Sequence, residues 1–173
     1  LLWWGLVYLP LIVASFYLSW AKKERSLLAR LVAIAAACLV LPLAINVDIP
    51  HPWFAADAIA PKGWYLCALL TTYFATTVPF VKTVIRERNS TPWFVGSITV
   101  HVVVVLAMAA LAVQGYNYWT HVLVWVLLTG RAIAMPLLAK RRGVPWRPRN
   151  IGMPEIGYSL LVFATLPYGL AFP

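Results

Sequence analysis

Negative charge is what this sequence has least of. Only five Asp and Glu occur in 173 residues, at Glu24, Asp48, Asp57, Glu87 and Glu155. No two of them form a DxxxD-type pair of the kind that holds Mg²⁺ against a phosphate. GxSxG, HExxH, P-loop, GxGxxG and CxxC patterns are also absent, so no familiar catalytic or nucleotide-binding chemistry can be assigned. The two cysteines, Cys38 and Cys67, lie inside apolar runs without metal-ligand spacing and read as small buried hydrophobes. Neither metal nor cofactor is expected, and the balance leans against an enzyme.

What is present is apolar surface. The chain is 62% hydrophobic and only 11% charged, with a mean hydropathy of +0.81, far from soluble usage. Fourteen Lys and Arg give a net charge of +9. In a soluble domain that excess would suggest nucleic acid. Here the cations fall in short loops between apolar runs, so the expected partner is anionic lipid in a bilayer, not nucleic acid.

Crossing the hydrocarbon layer takes about 20 residues of helix. About six stretches qualify: residues 1–20, 27–47, 64–85, 93–113, 118–138 and, less cleanly because of Gly157, Pro167 and Gly169, 156–172. The expected fold is therefore all-α, a polytopic transmembrane helical bundle forming one domain over residues 1–173. Ser26 is placed to cap the second span, and Asp48 to Gly63 reads as a Pro- and aromatic-rich loop carrying Asp48, His51, Asp57 and Lys62. Twelve of the fourteen cations lie in or beside three alternate loops: Lys22, Lys23, Arg25, Arg30, Lys82, Arg86, Arg88, Lys140, Arg141, Arg142, Arg147 and Arg149. The positive-inside bias puts those loops in the cytoplasm and both ends of the chain outside, a multi-pass topology in a bacterial cytoplasmic membrane. The chain opens on Leu1 inside an apolar run that lacks the features of a signal peptide, so it reads as a fragment with its amino-terminal part missing.

Thr76 to Pro92 is the candidate site. Thr72, Thr76, Pro79, Thr83 and Glu87 recur at steps of three or four and share one helix face, beside the i, i+4 pair Lys82 and Arg86. Such a stripe, ending in cations at the cytoplasmic mouth, suits the head group of an amphiphilic anionic small molecule, a lipid or isoprenoid diphosphate or carboxylate, whose tail lies between helices. Threonines bonded back to helix carbonyls and cations acting as topological anchors would produce the same pattern. Arg131 lies within the fifth span, and Glu155, at the mouth of the sixth, is its candidate partner in either a site or a structural lock. His101 and His121 lack a second ligand at i+3 or i+4 and read as helix-to-helix hydrogen-bonding groups.

Three blocks resemble the YwiC-like family of bacterial membrane proteins: YLSWAKKERSLLARLVAI (17–34), YFATTVPFVKTVIRER (73–88) and RPRNIGMPEIGYSLL (147–161). That resemblance implies a helical membrane protein and carries no settled activity. Members usually begin with a segment resembling PKQHGAW, which this sequence lacks. A more distant likeness is to UbiA-type prenyltransferases and implies a nine-helix bundle. With about three helices upstream, VKTVIRER then stands where that family has its second aspartate-rich motif, with cations in place of Mg²⁺-binding aspartates. A divergent prenyl or lipid transferase and a small transporter are the alternatives to a binding protein.

Overall fold

The computed structural model describes residues 2–24, 26–45, 59–144 and 146–169. All regular structure among them is helical: α1 (Leu2–Trp20), α2 (Leu27–Cys38), α3 (Val40–Ile45), α4 (Ile59–Ile85), α5 (Thr91–Val113), α6 (Trp119–Arg142) and α7 (Pro148–Thr165). Among the described residues, four stretches are long and apolar enough to cross a membrane: Leu27–Ile45, Pro61–Ile85, Thr91–Val113 and Trp119–Arg142. Helix α1 is apolar over the shorter stretch Trp4–Trp20. Their outward faces are as apolar as their inward ones; on α5, Val95, Val100, Val103 and Leu106 are exposed. A water-facing helix would carry polar residues there, so this is the pattern of helices solvated by lipid.

Caps and prolines explain the boundaries. Ser26 accepts a bond from the amide of Ala29 (3.1 Å) and starts α2. Pro42 has no N–H to give the carbonyl of Cys38, and the break between α2 and α3 falls at Leu39, between them. Helix α6 carries Lys140, Arg141 and Arg142 in its last turn, where the negative end of the helix dipole favours cations, and it stops on Gly143 in the left-handed region (φ 66°). The last helix departs from the expected 156–172. Pro148 presets the first-turn backbone, so α7 begins there, and Pro167 pushes Leu166 out of helical geometry (ψ 143°). Residues 170–172 of that expected span, residues 46–47 of the expected second span and residues 48–58 of the expected loop lie outside the described residues, whereas Lys62 is already in α4.

The chain divides within α4, between Ala75 and Thr76, into two compact units. Pro79 marks that place, since it leaves the carbonyl of Ala75 without its i+4 amide. In the first unit α1 packs on α2, with the Tyr8 hydroxyl donating to the carbonyl of Ala36 (3.2 Å) and Trp4 stacked on Trp64 (5.8 Å between ring centres). Cys38 and Cys67 are free and buried there.

In the second unit α5 and α6 form a hairpin around Gln114 to Tyr118, and α7 packs on α6. Gly115 takes φ 81°, open to glycine at no cost, and the buried Asn117 amide donates to the carbonyl of Met108 (3.3 Å). The buried stripe of α5, Ser97, His101, Val104, Met108 and Ala112, keeps helical spacing, as do His121, Trp125, Leu128 and Ala132 on α6. Phe80 and Val84 of α4, Ala132 of α6 and Ile151 of α7 form a core cluster beside Met135 and Trp146. The Trp146 indole N–H reaches the carbonyl of Met135 (2.9 Å) and ties the loop before α7 to α6.

Candidate functional site

Two groups of polar residues stand out in the second unit, one near the middle of α6 and one at the end of the unit that carries the α4–α5 turn. The inner group centres on Arg131, three turns from the carboxyl end of α6 and 94% buried. Its Nη1 is paired with Oε1 of Glu155 on α7. The guanidinium carbon lies 4.0 Å from the centre of the Phe80 ring and 4.9 Å from that of Tyr158, so two aromatic quadrupoles support the charge. A lone guanidinium here would be strongly disfavoured; the carboxylate and the rings make its burial tolerable. Helices α4, α6 and α7 meet at this point.

Further along α6, the Trp125 indole N–H donates to Nε2 of His121 (3.1 Å), which assigns the ring proton to Nδ1. Nδ1–H donates to the Thr165 hydroxyl on α7 (2.9 Å), and that hydroxyl donates to the carbonyl of Leu161 (2.8 Å). Both ring nitrogens of His121 are thereby engaged, Nε2 within α6 and Nδ1 in joining α6 to α7. His101 differs from the helix-to-helix expectation: its Nδ1–H donates to the carbonyl of Ser97 in its own helix (2.7 Å). Among the described residues no three His, Cys, Asp or Glu side chains come together as a metal site.

The outer group surrounds two cavities, of about 260 and 310 Å³, that share Thr83, Arg88, Asn89, Pro136 and Lys140 and so form one cleft. One cavity extends toward Gly143 and Val144, the other toward Ser90, Thr91, Phe94 and Leu137. Arg88 and Lys140 put two cations on its walls. Ser90, the N-cap of α5, makes no side-chain cap bond, and Pro92 carries no N–H, so the positive end of the α5 dipole opens onto the second cavity.

The residues singled out from the sequence separate in space. Arg131 and Glu155 are brought together, and Thr83 lines the cleft. Lys82 instead holds its ammonium 3.8 Å from the centre of the Trp93 ring. Arg86 is exposed and Glu87 half-buried in the turn after α4, and neither lines the cleft. Thr76 is buried on α4, while Thr72 and Thr83 bond back to the carbonyls of Ala68 (2.8 Å) and Phe80 (2.7 Å). The sequence reading did not assign Arg88, Asn89 or Lys140 to the site; Arg88 and Asn89 lie in the turn after α4, within the candidate stretch, whereas only the α5–α6 hairpin brings Lys140 beside Thr83.

Fold and burial pattern define a helical membrane protein. Residues 1–45 match the family model described as YwiC-like protein, so over that stretch the chain is similar to YwiC-like proteins. The first of the three resembling blocks lies inside the matched stretch, and the other two lie beyond it. No curated protein and no solved structure matches the chain.

Proposed function

We propose that this membrane protein binds an anionic amphiphile, a lipid or isoprenoid phosphate or carboxylate, with the head group in the cleft between Arg88 and Lys140. The observation that carries the reading is the cleft itself. It has two cations and a helix amino terminus on its walls, with Phe94 and the half-exposed Leu137 as apolar lining. Its volume sits at the lower end of the roughly 300–1,000 Å³ of small-molecule sites, enough for a head group whose tail remains in lipid. The three basic loops lie in the cytoplasm of a bacterial cell in this reading, so the head group enters from the cytoplasmic side.

The test is binding of dodecyl phosphate to the protein in phosphatidylcholine nanodiscs, followed by tryptophan fluorescence. Arg88→Gln with Lys140→Gln is expected to weaken it at least roughly tenfold, since a charge-assisted hydrogen bond contributes about 1.5–3 kcal/mol. Arg86→Gln, outside the cleft, should bind like the parent, and added salt should weaken binding in the parent. Equal losses in all variants, or none in the double variant, would reject the cleft. For orientation, a single cysteine at Asn89, with Cys38 and Cys67 replaced by Ala, should react with a membrane-impermeant maleimide only in inverted vesicles. A cysteine at Gln114 should react only in right-side-out cells, and the reverse pattern would turn the topology over.

A further inference from the structure

The Arg131–Glu155 pair leaves a specific piece of hydrogen-bonding chemistry open. A guanidinium and a carboxylate can meet as a two-bond fork, yet here one Nη1–Oε1 contact joins them, while Nε of Arg131 and Oε2 of Glu155 are both buried without a protein partner. The Arg131 side chain is only 3% exposed. Leaving a donor and an acceptor unmatched at that depth is costly, more so for charged groups. The rings of Phe80 and Tyr158 lie against the guanidinium but offer no lone pair to the Nε–H. A single group serving both atoms has to accept one bond and donate another. A fully ionised anion cannot, because it has nothing to donate to Oε2, and an ammonium cation has nothing with which to accept from Nε–H. A hydroxyl group does both.

We propose that the Arg131–Glu155 pair is a hydroxyl-binding site inside the bundle, where one O–H, of a water molecule or of a lipid alcohol, accepts from Arg131 Nε–H and donates to Glu155 Oε2. The site is independent of the cleft at Arg88 and Lys140 and takes a neutral group, not an anion. Occupancy gives the two unmatched buried atoms, Arg131 Nε and Glu155 Oε2, their partner and so holds α6 and α7 in one register.

The test uses the full chain, ¹³C- and ¹⁵N-labelled, in phosphatidylcholine nanodiscs. Solid-state NMR reads magnetisation transfer to Arg131 Nε, first from water protons and then from the hydroxymethyl group of added dodecanol. The Nε signal is assigned by its loss in Arg131→Lys or, should that variant fail to fold, by its correlation through the guanidinium to the Glu155 carboxyl in the parent. Transfer to Nε is expected to build up several-fold faster than transfer to the backbone amides of Leu128 and Ala132, which are buried on the same helix. Fast transfer from water alone makes the hydroxyl that of water, and fast transfer from dodecanol makes it a lipid alcohol. Transfer to Nε no faster than to those amides in both arms overturns the proposal.

Discussion

Glu155→Ala is expected to lower the stability of the protein by about 3–5 kcal/mol, among the largest effects of any single substitution here. The carboxylate it removes is the partner of Arg131, whose guanidinium is buried near the middle of α6, away from water. The aromatic contacts with Phe80 and Tyr158 survive, but cation–π attraction of about 2 kcal/mol does not replace an ion pair. Thermal unfolding in nanodiscs, followed by near-ultraviolet circular dichroism, measures the loss. Replacing both partners, Arg131→Met with Glu155→Leu, should recover most of it, because the uncompensated charge leaves together with its desolvation penalty. A double variant as unstable as Glu155→Ala would show that the loss comes from packing around α7 and not from the stranded charge.

Trp125→Ala is the second large effect, again about 3–5 kcal/mol. The indole is fully buried, lies edge-on to His101 at 6.4 Å and donates to His121 Nε2. Truncation therefore removes the largest fully buried side chain among the described residues and strands the imidazole acceptor, whose other nitrogen is committed to Thr165. Trp125→Phe keeps most of the volume and loses the donor, so it should be destabilising by only about 1–3 kcal/mol. The ratio of the two effects, read from the same unfolding experiment, separates packing from hydrogen bonding. Equal effects would mean that the bond to His121 dominates.

The membrane-spanning helices were legible because lipid imposes a simple rule: a run of about 20 apolar residues has few ways to satisfy its backbone other than a helix. The Arg131–Glu155 partnership was legible for a related reason. An ionised side chain in a span needs a counter-charge, and with five carboxylates in the whole chain the choice was narrow. The start of α7 was not legible, since Pro148 sits in a stretch, AKRRGVPWRPRN, whose charges and prolines read as loop although proline also suits a first helical turn. The cleft was hidden more deeply. Periodicity favoured Lys82 and Arg86 as an i, i+4 pair, but α4 ends at Ile85, so Arg86 stands in the turn and Lys82 turns to Trp93. Arg88 and Lys140 meet across the cleft only because a helical hairpin returns the chain to the same end, and nothing local in either segment announces the other.

The central claim, that the cleft takes an anionic head group and passes its tail to lipid, is tested most directly by photo-crosslinking with a dodecyl phosphate that carries a diazirine near the head, followed by peptide mapping. The account predicts adducts concentrated on Phe94 and Leu137, the apolar lining of the cleft, and competed away by unlabelled dodecyl phosphate. Adducts spread over the lipid-facing residues of α1 and α5, such as Phe16 and Leu106, and insensitive to competition would contradict it.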